Sequence, residues 1–194
     1  MTQINKYNYT ESQVTALVVD TTNAEYLWVG FSLNDSVCNF KKVSANKPDQ
    51  VYFSIDLSVT AINRIISSGT SVYAVVNDTS ILCRRFLKTN PVTTTVDFDI
   101  PVSVNEAPVD ALVSGSYIYF LTPGSVSGEN AKILKYTLTG TYTETIELST
   151  VTSAKALTIN EVSGEFWIIT YASPSQYIRV YQTSGGTWTY TINT

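Results

Sequence analysis

Val14-Thr15-Ala16-Leu17, Val59-Thr60-Ala61-Ile62, Val109-Asp110-Ala111-Leu112 and Ala154-Lys155-Ala156-Leu157 are four versions of one short phrase. Their alanines recur every 45 to 50 residues or so, the spacing of a repeat array in which each repeat is one supersecondary unit. Working outward from the phrase, each repeat resolves into four short strands. The first carries the phrase itself, over 14–20, 59–65, 109–113 and 154–159. The second is an apolar run over 26–31, 72–76, 117–121 and 166–170, and a matched aromatic sits in each: Trp28, Tyr73, Tyr119 and Trp167. Continuous apolar runs of this length mark strands covered on both faces, so these four aromatics are expected in the core. The third strand mixes apolar and basic residues, as in Leu82-Cys83-Arg84-Arg85-Phe86. The fourth alternates, as in Val51-Tyr52-Phe53-Ser54-Ile55-Asp56-Leu57, which leaves one face wet, as at a sheet edge. Polarity is thus expected to rise from the first strand to the fourth. Asn34-Asp35 and Asn77-Asp78 supply turn residues between strands two and three.

This pattern predicts an all-β chain: a β-propeller-like array of four four-stranded antiparallel blades. The chain resembles the β-propeller family in period and strand pattern from Ser12 to Thr194. It carries neither the Gly-His and Trp-Asp pairs of WD40 blades nor the double glycine of kelch blades. Gly185, Thr187 and Trp188 match part of the Asp-box turn of sialidase-like propellers, but Thr183 stands where the aspartate belongs. The repeats fall at about 12–58, 59–105, 106–150 and 151–194. Residues 1–11 form an N-terminal arm, in which Gln3–Tyr9 reads as a rim strand able to close the ring or reach another subunit. Four blades suit a compact ring, half of an eight-bladed ring completed by a second copy, or part of a larger assembly. The expectation leans to a ring closed within one chain.

Composition narrows the chemistry. The 194 residues include no histidine, which removes the commonest general base and metal ligand and closes the Ser-His-Asp and Cys-His routes to nucleophilic catalysis. Cysteine clusters with zinc spacing, phosphate-cradling glycine loops and calcium loops are missing as well. The expectation is therefore a non-enzyme with no catalytic, cofactor or metal residues. A net charge of −4 argues against nucleic acid as a partner, and the sequence has no apolar run long enough for a membrane span. Cys38 and Cys83 both fall on third strands and read as buried free thiols rather than as a disulfide framework.

Four sets of residues invite a functional reading. Asp97 and Asp99, two apart on a rim strand, face one side of it, as a carboxylate-only glycosidase would need. The rim position points instead to a solvated face, and the same holds for Glu144 and Glu147. The basic residues Lys41, Lys42, Arg84, Arg85, Lys135 and Arg179 recur at matched places and are expected to pair with Asp56, Asp97, Asp99 and Glu144 on the adjoining strands. The longest insertion between strands two and three spans 122–130 and offers Ser125, Ser127, Glu129 and Asn130 to a partner. Trp188 and Tyr190, on the last rim strand, are the aromatics expected to contact a partner.

A hydroxyl-rich, aromatic-rich surface poor in Lys and Glu looks extracellular, while residues 1–9 lack the apolar core of a secretory signal. The two meet in a virion, whose proteins fold inside a cell and work outside it. The functional expectation is a non-catalytic structural or interaction module of a bacteriophage or other virus, in a virion or extracellular assembly. Its partners would be itself or other subunits. The alternatives are a glycan-binding adhesin or receptor-binding head and, third, the carboxylate-only glycan-cleaving enzyme.

Overall fold

A computed structural model describes residues 13–34, 37–78, 80–91, 96–101, 104–126, 128–171 and 175–193 of the chain. Gln3–Tyr9 and Ser127 lie outside the described residues. Among the described residues sixteen strands form four sheets. The first blade holds β1 (Gln13–Val19), β2 (Tyr26–Asn34), β3 (Val37–Ser44) and β4 (Val51–Leu57), and the second β5 (Ile62–Ser68), β6 (Ser71–Val76), β7 (Ile81–Leu87) and β8 (Val96–Asp99). The third holds β9 (Asp110–Ser114), β10 (Tyr117–Thr122), β11 (Ala131–Thr137) and β12 (Tyr142–Leu148). The fourth holds β13 (Ala154–Asn160), β14 (Glu165–Thr170), β15 (Tyr177–Gln182) and β16 (Trp188–Asn193). Each sheet is an antiparallel meander in sequence order, and no helix occurs among the described residues. The chain has the β-propeller fold class that its period predicts.

Local chemistry explains the strand order. The Asp78 carboxylate accepts the amides of Ser80 and Ile81, closing the turn from β6 to β7 that Asn77-Asp78 foretold. The second strands are the most buried, and every residue of β6 is buried. The first strands are wetter than expected because they line the axis: β1 and β13 expose much of their length. Polarity therefore rises outward only from the second strand. In the second repeat the first strand starts at Ile62, three residues later than its phrase suggests.

Each blade has a trailing face toward its predecessor and a leading face toward its successor, and apolar side chains pack three seams between them. Trp28, Phe40 and Phe53 meet Val72, Ala74 and Phe86 at the first seam, where Phe40 and Phe86 lie 5.0 Å apart. Tyr73, Val75 and Phe98 meet Ile118, Phe120 and Tyr136 at the second, with Phe98 6.0 Å from Phe120. Tyr119, Leu121 and Ile146 meet Leu157, Phe166 and Ile168 at the third, with Tyr119 4.8 Å from Phe166. On the trailing face of the first blade Val29, Phe31 and Val43 are also buried. Fully burying each large apolar side chain contributes about 1.5–3 kcal/mol, so the seams hold most of the fold's stability.

The ring does not close within the described residues. β1 packs on β5, β5 on β9 and β9 on β13, but no comparable contact joins β13 to β1. Among the described residues three seams join four blades in a row, and the first and last blades do not meet. Closure of the expected single-chain ring by Gln3–Tyr9 lies outside the described residues.

Gly30 on β2 permits a close approach across the first seam. A Cβ there would lie 2.9 Å from the Ile62 Cδ1 atom and 3.2 Å from the Thr15 hydroxyl. Gly30→Ala is expected to cost about 1–3 kcal/mol through overpacking, read as a lower urea midpoint with an unchanged slope.

Candidate interaction site

The matched aromatics are placed by cross-strand register. Trp28 pairs with Lys42, Tyr73 with Arg85, Tyr119 with Lys135 and Trp167 with Arg179. Every leading face therefore carries an aromatic beside a cation, and period-two alternation keeps the pair together. Lys42 lies 5.3 Å from the Trp28 ring and 4.3 Å from Tyr26, and Lys135 lies 4.4 Å from Tyr117.

Two of the expected ion pairs form as read from the sequence. Arg84 binds Asp97 through two nitrogens at 2.5 and 2.8 Å, and Lys135 meets Glu144 at 2.8 Å. The others find different partners. Lys42 approaches Asp20 at 3.9 Å, Arg179 pairs with Glu165 on the second strand, and Arg85 donates to the Leu138 carbonyl across the second seam at 2.9 Å. Asp56 accepts from Asn39 at 2.5 Å. With Asp97 held by Arg84, the Asp97–Asp99 pair is part of the rim sheet, and Glu147 likewise accepts from Asn130. Among the described residues no cluster of three metal-ligating side chains occurs, and no helix is long and apolar enough to cross a membrane.

Two buried carboxylates tie the blades together, and the repeat pattern pointed to neither. Asp20, just beyond β1, accepts from the Thr22 amide and hydroxyl, from the Trp28 indole at 3.0 Å and from the Lys88 ammonium at 3.0 Å. Lys88 also donates to Thr21, which bonds Ser67, so the cluster clamps the first seam. Burial pushes the Asp20 carboxyl up, but these hydrogen bonds outweigh it and hold it well below the usual carboxylate range. Asp110, within the third phrase, is the second. It accepts Arg64 of the second blade at 2.8 Å and the Leu157 amide of the fourth blade at 2.8 Å. One carboxylate thus joins three blades beside an axial cavity of about 410 Å³, which the four first strands line.

The insertion loop is engaged with its own protein. The buried Glu106 carboxylate accepts the amides of Gly124, Ser125 and Val126, each at 2.6 Å, and the Ser125 hydroxyl at 3.0 Å. Successive amides turned inward form an anion-binding nest, here filled by a side chain. Gly124 has φ +64°, and a Cβ on it would collide with the Ala131 nitrogen. Glu129 pairs with Lys132, and the Asn130 side chain accepts the Thr150 amide. Trp188 and Tyr190, expected to face outward, are half-buried on the third seam: the Trp188 indole donates to Glu144 at 3.3 Å, and Tyr190 donates to the Ser149 carbonyl. Cys38 and Cys83 are buried free thiols, as expected. Burial pushes both thiols up, and Cys38 donates to the Phe31 carbonyl.

The aromatic that stands open is one expected in the core. Trp28, Tyr73 and Tyr119 are sealed by the next blade, whereas Trp167, on the last of the described blades, is 38% exposed. Ile169 and Tyr177 flank it at 47% and 53% exposure. Together with Ala156, Leu157 and Thr158 they line a groove of about 210 Å³ whose walls are almost wholly apolar. Among the four leading faces it is the one whose apolar side chains stand open to solvent.

No family model and no curated protein matches the sequence. Solved structures do resemble the fold. The β-propeller domain of Cps50 (Swd1) from Myceliophteria thermophila superposes with a TM-score of 0.63 at 13% identity, over 87% of this chain and 53% of that one. The computationally designed protein Ika4 matches at 0.57 and 12% identity, over 95% and 92%. An auxiliary nutrient binding protein from Bacteroides thetaiotaomicron matches at 0.60 and 11% identity, over 94% and 42%. These likenesses establish the propeller fold. The chain spans about half the length of the Cps50 domain.

Asp20→Asn leaves Lys88 buried without its counter-charge and is expected to cost about 3–5 kcal/mol at pH 7 in urea unfolding. The folded-state pKa of Asp20 lies below the unfolded value of about 3.9. Its stabilisation is therefore complete above that pH and fades as the pH falls, so the deficit of the variant should shrink between about pH 4 and pH 2. Glu106→Ala should strip hydrogen-exchange protection from the amides of Gly124, Ser125 and Val126 and cost about 1–3 kcal/mol, while the seams keep their protection.

Proposed function

We propose that this protein is a non-catalytic assembly module, a structural component of a virus particle that binds protein partners through the unsealed end of its propeller arc. The observation that carries the reading is the open leading face of the fourth blade. Trp167, Ile169 and Tyr177 lie exposed where the three equivalent faces are buried against another blade. An apolar face with aromatic anchors is the chemistry of a protein interface, since burying it drives association without any reactive group. Engagement of the rim carboxylates and the insertion loop within the fold supports the same reading. The virion assignment rests on composition: a hydroxyl- and aromatic-rich chain with few charges and no histidine.

Trp167 beside Arg179, with Tyr177 next to it, also favours a second reading, in which the face stacks on a sugar ring as an adhesin or receptor-binding head would. Immunogold labelling of purified particles from the source, with an antibody raised against the protein, is expected to decorate the particles. A glycan array is expected to stay blank. Protein found only outside particles overturns the virion assignment. Array binding that Trp167→Ala abolishes overturns the assembly reading in favour of the sugar-binding one.

A further inference from the structure

We infer that the partner of the open fourth-blade face is the first blade of a second copy of this chain, two copies closing into one eight-bladed ring. The inference deepens the assembly reading above and rests on it. Cross-strand register supplies the argument. On each first strand one apolar residue stands opposite the middle of the second strand on the trailing side: Leu17 opposite Val29, Ile65 opposite Ala74, Ala111 opposite Phe120 and Leu157 opposite Ile168. Ile65, Ala111 and Leu157 are buried at 5%, 0% and 4%, each covered by the preceding blade, whereas Leu17 is 57% exposed. Val14 and Val19, on the same side of β1, are half exposed as well. The matched aromatics describe the other end, with Trp28, Tyr73 and Tyr119 sealed and Trp167 open.

Among the described residues, the leading face of the fourth blade is therefore open, and the trailing side of the first blade is open along β1, where Val14, Leu17 and Val19 stand exposed. Throughout this protein, what covers a leading face is a trailing face. A second copy offers that surface, in the same chemistry as the three seams within the chain. Because Val29, Phe31 and Val43 are already buried, the new contact centres on the inner strands, with β1 of one copy against β13 and β14 of the other. Reciprocal docking about a two-fold axis covers the open Trp167 face and the exposed β1 strip of both copies and leaves neither to propagate a filament. The arc also has a suitable curvature, since four blades superpose on about half of a longer propeller domain.

Light scattering behind a sizing column tests this on the purified chain. The expected mass is twice the 21.4 kDa of one chain and independent of concentration in the micromolar range. Trp167→Glu and Leu17→Asp, both at exposed sites, should each give a folded monomer by circular dichroism. Thr70→Glu, at the exposed turn between β5 and β6 of the second blade, should leave the dimer intact. Mixing the two monomeric variants should restore dimer, because the intact Trp167 face of one then meets the intact Leu17 strip of the other. Wild-type protein that stays monomeric overturns the inference, as do open-ended polymers, a dimer indifferent to both substitutions, or variants that do not complement. A monomer that is nonetheless labelled in particles overturns only the second copy. A dimer absent from particles overturns the virion assignment and leaves the ring standing.

Discussion

The aromatic at the centre of each blade, set beside its cross-strand cation and covered by the trailing face of the next blade, is the contact on which the rest of the structure depends. A small sheet of four short strands cannot bury both faces alone. Stacking lets each second strand be covered on two sides, which is why these strands are continuously apolar. The seams are then nearest-neighbour interfaces of a repeat array, and the stability of each blade depends on the one beside it. The end blades are the exception, and their apolar residues show it.

Polar groups at the seams obey the complementary constraint. A carboxylate taken out of water costs several kcal/mol unless its lone pairs are filled. Asp20 and Asp110 meet that cost with donors from two or three blades at once. Neither blade could supply these bonds alone, so the same atoms that satisfy the charge also fix the blade-to-blade register. Glu106 works in this way within the third repeat, where its carboxylate replaces water around three amides that a long loop would otherwise leave unpaired. The most conspicuous loop in the sequence is thus a braced element, and the apolar surface left open is a sheet face.

The period of the alanine phrase, the apolar second strands and the alternating fourth strands depend on side-chain spacing of two along a strand, a local property that any single repeat displays. From them the four-blade architecture, the buried thiols and the Arg84–Asp97 and Lys135–Glu144 pairs were legible. The exposure of Trp167 was not, because its local sequence is that of a core strand and only the sealing of its face by a neighbouring blade separates Trp28 from it. The roles of Asp20, Asp110 and Glu106 were hidden for a related reason. Their partners lie across a seam or across a loop: Lys88 and Arg64 stand far from Asp20 and Asp110 in sequence, and the Glu106 amides sit on the insertion. The sequence by itself determined what a blade is. Which blade faces are sealed, and which is left open, was decided only by the tertiary stacking, because burial of a sheet face is a property of its neighbour rather than of its own residues.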